Sequence, residues 1–190
     1  MQARKQVEVK ASAAAKTAAA PKTHGHKAHE FKVGDKAVYP ARGVTEVVSI
    51  EEKDIAGNRQ RFYVLRVLDT DHKIMVPVRN AEHIGLRKLI SDKEIEQIYR
   101  VLKVKEIPVD TQTWNRRRRG FVDKIKTGSL FEIAEVFRDL SRLRSSKVLS
   151  FGERQMLEMA RGLIVKEIAI ALGKSEDAVR SEIDAIFEPS

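Results

Sequence analysis

Between Phe31 and Ile90 the apolar residues come in short runs separated by turn-forming residues. Lys36 to Pro40, Val44 to Ile50, Arg61 to Leu68 and Lys73 to Val78 are rich in β-branched and aromatic side chains. Gly34-Asp35, Gly43, Ala56-Gly57-Asn58 and Thr70-Asp71 punctuate them. Runs of this length with such breaks predict strands and tight turns, and Ile84 to Ile90 is a candidate fifth strand. Four or five short strands in so small a segment predict a strongly bent antiparallel barrel, whose closure would remove exposed edges.

From residue 91 onward the period changes from two to about three and a half. Ile133, Val136, Phe137, Leu140 and Leu143 form one apolar stripe, and Met156, Leu157, Ala160, Leu163, Ile164 and Ile168 form another. Three helix starts share one local chemistry: Ser91 with Glu94, Ser129 with Glu132, and Ser150 with Glu153. In each, the serine can accept a first-turn amide while the glutamate reaches back to the serine amide. Thr113 and Ser175 can cap two more helices, and Gly128 suits the end of a helix finishing near Lys126. The expected fold class is therefore α+β in two domains: a small β-barrel over 31–90, then a compact all-α domain over 91–190. Phe187 is expected to dock the chain end into the helical core.

Residues 1–30 have neither pattern. They hold nine Ala, six Lys or Arg and two Glu, with almost nothing large to bury. That composition predicts a disordered basic tail adding weak, sequence-blind affinity for nucleic acid. His24, His26 and His29 read as spacer composition, not as metal ligands. The whole chain carries net charge +9 with a pI near 9.8, which favours polyanionic partners. Cysteine is absent, which excludes disulfides and Cys-ligated zinc and fits a reducing cytosol. No stretch approaches a membrane span, and the start of the chain has no apolar core of a secretory signal.

Catalytic chemistry is missing from the pattern. There is no His-Glu-x-x-His, no cysteine nucleophile, and no glycine-rich loop joining strand to helix. Gly173-Lys174-Ser175 mimics the end of a phosphate-binding loop, but Ile168 stands at the required leading glycine and the preceding element reads as a helix. The chain is expected to be no enzyme and to need no cofactor. Lys166 to Ile183 has the rhythm of a helix-turn-helix. Its second helix, however, carries four acids and one arginine between Glu176 and Asp184, a face that phosphates would repel. A packed helical hairpin is the better expectation.

The most informative run is Thr113-Trp114-Asn115-Arg116-Arg117-Arg118-Arg119-Gly120-Phe121, which contains the only tryptophan of the chain. Guanidinium groups bind phosphate bidentately, and an indole can wedge beside a base. The run is thus a candidate nucleic-acid surface. Against that, Trp114, Arg118, Phe121 and Ile125 recur near helical spacing, which would make Trp114 a helix-packing residue and the arginines a solvated face.

Beyond these patterns, the chain from Phe31 onward resembles the CarD/CdnL family of bacterial transcription regulators, closer to its CdnL branch. The resemblance rests on Phe31-Lys-Val-Gly-Asp-Lys-Ala-Val-Tyr-Pro-Ala-Arg-Gly-Val, Phe62-Tyr-Val-Leu-Arg-Val-Leu, Ile74-Met-Val-Pro and Trp114-Asn-Arg-Arg. It continues through Lys124-Ile-Lys-Thr-Gly-Ser, Ala134-Glu-Val-Phe-Arg-Asp-Leu and Leu149-Ser-Phe-Gly-Glu-Arg. It implies a Tudor-like barrel that binds the RNA polymerase β subunit. It also implies a helical domain that touches promoter DNA in the minor groove, at the upstream edge of the bubble. Such proteins stabilise the open promoter complex, notably at ribosomal RNA promoters, without strict sequence specificity.

Carried over by position, the wedge is Trp114, with Arg116, Arg117 and Arg119 as basic DNA contacts. Met75 and Pro77 match polymerase-contacting strand positions, and Lys53 and Ile55 fall on a neighbouring contact strand. Met75 stands where actinobacterial members carry an arginine, Lys53 replaces another arginine, and Arg118 replaces a common aromatic. The resemblance further implies a cytoplasmic, nucleoid-associated protein, expected to act as a monomer within the polymerase complex. Two rival classes compete. One is RNA binding by a small barrel of ribosomal or elongation-factor type, suggested by Val33-Gly-Asp-Lys and Gly43-Val-Thr-Glu-Val-Val. The other is a methyl-lysine cage, for which Tyr39, Phe62 and Tyr63 are too few.

Overall fold

The computed structural model describes residues 30–105 and 114–188. Five strands form one antiparallel sheet: β1 (Lys36–Tyr39), β2 (Gly43–Ile55), β3 (Asn58–Val67), β4 (Lys73–Pro77) and β5 (Arg87–Lys88). Their order is β4-β3-β2-β1-β5. Among the described residues no ladder joins β4 to β5, so the sheet keeps β4 as an open edge.

The turns follow from backbone chemistry. Ile55 pairs with Asn58, leaving Ala56 (φ 53°) and Gly57 (φ 79°) as a two-residue hairpin loop. Positive φ at both central positions matches the twist of the flanking strands. Asp54 Oδ1 accepts the Gly57 amide at 2.8 Å and closes the turn. A bulge between Val47 and Ser49 shifts the register of β2 against β3. On one face, Phe31, Ala37, Val47, Tyr63, Leu65, Val76, Ala81 and Leu86 make the sheet core.

The expected fifth strand is shorter than Ile84 to Ile90. Ala81–Ile84 instead forms a single helical turn, α1, ended by Gly85 at φ 86°, whose amide donates back to Ala81 and Glu82. Only glycine adopts that left-handed cap without strain.

Five helices follow: α2 (Asp92–Lys103), α3 (Trp114–Lys126), α4 (Leu130–Ser146), α5 (Phe151–Leu172) and α6 (Glu176–Asp184). Ser91 with Glu94 and Ser150 with Glu153 form complete capping boxes, and Ser175 caps α6 through the Ala178 amide. Ser129 precedes α4 but forms no such box. Thr127 takes its place: its hydroxyl accepts the Ser129 amide at 3.1 Å and lies 2.6 Å from the Glu132 carboxylate. Thr113 and the tail over 1–29 lie outside the described residues.

Gly173 (φ 63°) is the left-handed end of α5, and Lys174 pairs with Glu182 at 2.7 Å, so Gly173-Lys174-Ser175 is a helix–helix turn. Val179 and Ile183 are buried, which makes α5 and α6 a packed hairpin. Phe187 meets Phe137 edge-on at 5.4 Å and docks the end of the described chain.

The sheet and the helices are fastened together at several points. Arg87 on β5 donates to both oxygens of Glu167 on α5 (2.5 and 2.9 Å) and to the Gly128 carbonyl. Glu167 also accepts the Ile90 amide at 3.1 Å. Lys166 pairs with Asp69 in the β3–β4 turn. Pro40 packs against Gly85 and Gly128, where an added Cβ would lie 3.1 Å from the proline ring.

Candidate nucleic-acid interface

Helix α3 carries four successive arginines, and tertiary packing divides them. At about 100° per residue, Trp114, Arg117 and Phe121 fall on one side and Arg116 and Arg119 on the other. The first side packs chiefly on α4, and its N-terminal end, at Trp114 and Arg117, meets the start of α5. Trp114 is half-buried against the helical core and tilts toward Phe121 with ring centroids 6.4 Å apart. Arg117 is only 12% exposed and donates to Glu153 Oε1 at 3.0 Å; Glu153 is 2% exposed. Arg116, Arg118 and Arg119 are exposed. Arg118, Arg119, Val122, Asp123 and Lys126 line a shallow cleft of about 320 Å³.

Glu153 is the hub of this corner. Its carboxylate accepts the Ser150 amide at 2.8 Å and also meets Lys147 at 3.3 Å. Burial pushes its pKa up, but the Ser150 amide and hydroxyl and the Lys147 ammonium outweigh burial and hold it below the usual carboxylate value. The ionised form is therefore available to Arg117. In contrast, Arg116 lies in the first turn of α3, which contains no acidic residue. The positive end of the helix dipole and the guanidinium add there, so an anion on this surface would be favoured.

Arg117 is thus set apart from its neighbours. Sequence reasoning groups Arg116, Arg117 and Arg119 as equals, but the Glu153 pair withdraws Arg117 from the surface. The partner it finds lies 36 residues away, beyond the reach of any local pattern.

On the sheet, Lys53, Ile55, Met75 and Pro77 share one face. Pro77 pairs with Phe62 and Met75 with Val64, while Phe62 pairs with Glu51 and Lys53 with Gln60. Side chains two apart along a strand point the same way, so these rows project opposite the sheet core. Lys53 Nζ lies 3.4 Å from Met75 Sδ, bringing β2 and β4 together across β3. Ile55 is 48% and Met75 40% exposed, over the buried Phe62 and Val64. The patch adjoins the open edge of β4.

Residues 31–90 match the family described as CarD-like/TRCF RID domain, and 97–184 match CarD, C-terminal domain. The chain is 30% identical over 151 residues to the Bacillus subtilis (strain 168) protein named "Putative transcription factor YdeB", covering 80% of this chain and 98% of that one. The chain belongs to the CarD/CdnL family. A solved structure titled "CdnLNt from Myxoccoccus xanthus" is 51% identical, matched over 36% of this chain and 96% of that chain, with a TM-score of 0.30.

As a CarD/CdnL-like protein it is an RNA polymerase-interacting transcription factor of a non-enzymatic family. No described helix is long and apolar enough to cross a membrane. Sequence reasoning about this CarD/CdnL chain missed Glu153 and Gly152 as parts of the Trp114 corner. Both stand in Leu149-Ser-Phe-Gly-Glu-Arg, where the only local signal was the Ser150–Glu153 cap.

Proposed function

We propose that this transcription factor docks on the RNA polymerase β subunit and stabilises the open promoter complex. In this reading residues 31–90 form the docking domain, with Lys53, Ile55, Met75 and Pro77 as its contact patch. Residues 91–190 form the DNA-contacting domain. Trp114 wedges into the minor groove at the upstream edge of the bubble, and Arg116 and Arg119 hold phosphates. Arg117 acts through Glu153 instead of touching DNA. The protein works as a monomer within the polymerase complex, ribosomal RNA promoters included.

The observation that carries the reading is the division of α3. A half-buried indole sits at the start of the helix while Arg116 and Arg119 face away from the packed side. Because these side chains lie on opposite sides, a strand touching all three must cross the helix end. There the dipole attracts phosphate. Unstacking a base step costs about a few kcal/mol, and a melted junction has already met part of that. The wedge therefore prefers a bubble edge to intact duplex. Phosphate contacts carry no base information, which suits promoter-general action. Docking on polymerase supplies the effective concentration that weak DNA contacts lack.

The test is open-complex lifetime at a ribosomal RNA promoter under heparin challenge. Stacking worth about 1–3 kcal/mol corresponds to a lifetime about five- to more than a hundredfold longer with wild type than with Trp114→Ala. Binding to the β subunit should be equal for the two proteins. No lifetime difference between them would overturn the wedge.

A further inference from the structure

The indole of Trp114 rests on the backbone of another helix. A Cβ built on Gly152 would stand 3.1 Å from Trp114 Cζ2, 3.2 Å from Nε1 and 3.3 Å from Cε2, and its three nearest atoms all belong to the indole. Gly152 lies in the first turn of α5 and has no positive φ, so its own backbone does not require glycine. Alanine there would suit helical backbone at least as well as glycine. Space for the ring, not chain geometry, is what glycine provides.

The next residue grips the same helix. Glu153 binds Arg117 at 3.0 Å, and Arg117 lies three residues after Trp114 on the same side of α3. Gly152 and Glu153 thus hold Trp114 and Arg117 in register, while Glu153 itself is held by the Ser150 cap and Lys147. Gly162, later in α5, shows the contrast: nothing lies within 4 Å of a Cβ there.

We propose that Gly152 and the Arg117–Glu153 pair form a seat that sets the pose of Trp114, making them positioning residues for the wedge. The inference rests on the proposed wedge and deepens it. It assigns a role to Leu149-Ser-Phe-Gly-Glu-Arg that capping alone does not explain.

Trp114 is the only tryptophan of the chain, so fluorescence of the full-length protein excited selectively at tryptophan, beyond the absorption of its tyrosines, reports on this ring alone. Gly152→Ala should unfold as cooperatively as wild type, yet shift the emission maximum and change acrylamide quenching. It should also shorten the open-complex lifetime by about fivefold, the smallest loss expected from removing a stacked base, with β-subunit binding intact. Gly162→Ala should change neither spectrum nor lifetime.

A folded Gly152→Ala protein with wild-type spectrum and lifetime would overturn the proposal. If that variant does not fold, Arg117→Met carries the test: it keeps an unbranched stem but removes the one guanidinium bond to Glu153, and an unchanged spectrum would overturn the seat. A Trp114→Ala protein with wild-type lifetime would sink the wedge itself, whereas the spectra of Gly152→Ala would still decide the seat.

Discussion

Arg87 and Glu167 join the sheet to the C-terminal third of α5: the guanidinium of β5 forks onto a carboxylate that is 3% exposed. The Gly128 carbonyl and the Ile90 amide complete the cluster. It therefore ties β5, the α3–α4 turn and α5 to one another. In the proposed function it fixes the span between the docking patch and Trp114.

Removing one partner of this pair leaves the other charge buried. Arg87→Ala is expected to cost about 3–5 kcal/mol, measured by urea denaturation. Replacing both residues by apolar ones (Arg87→Met with Glu167→Leu) should recover only part of that loss, because the Gly128 carbonyl and the Ile90 amide then lose their partners. Variants that stay folded should also lose open-complex lifetime, because the two contact surfaces are no longer held at one spacing.

The arginines of α3 should separate by phenotype. Arg116→Ala and Arg119→Ala should each reduce the slope of log affinity against log salt on forked promoter DNA by about 0.9, with little change in stability. Arg117→Ala should instead lower stability by about 1.5–3 kcal/mol, since Lys147 still faces Glu153. Equal salt slopes for all three variants would contradict the division.

Charge on the sheet patch should block docking. Met75→Glu places a carboxylate directly across from Val64 on the exposed patch, and is expected to abolish β-subunit pull-down. Helical circular dichroism should remain. Normal pull-down would remove Met75 from the interface.

Acid should loosen the helical domain at two carboxylates, Glu153 in α5 and Glu182 in α6. Glu153 is held below the ordinary carboxylate value as described above. Glu182 is lowered by the Lys174 hydrogen bond and then by Tyr99. A carboxylate depressed in the folded state contributes stability that is complete above its unfolded value, near 4.5, and is lost as pH falls through the folded value. Chemical denaturation from pH 6 to 3 should show stability falling below about 4.5. Glu153→Gln should make that fall shallower.

Local chemistry explains which parts of the chain could be read without the fold. The Ala56-Gly57 hairpin, the caps at Ser91, Ser150 and Ser175, and the α5–α6 turn at Gly173 each depend on residues within a few positions. The box at Ser129 misleads because Thr127, just upstream, competes for the same groups. The expected fifth strand forms but is confined to Arg87–Lys88, because Gly85 ends a helical turn within the span that could have begun it.

By itself the sequence determined the change from strand to helix near residue 91, the strongly basic charge, the family, and the presence of one tryptophan beside four arginines. Only the tertiary structure decided which of those arginines face solvent. Helical spacing sets their angles about α3 but not the side on which α5 will lie. Packing at the start of α5 settles it: Gly152 leaves room for the indole, and the buried Glu153 carboxylate accepts from Arg117 as well as from Lys147. Burial turns a distant pair into a specific contact, and burial is a property of the packed whole.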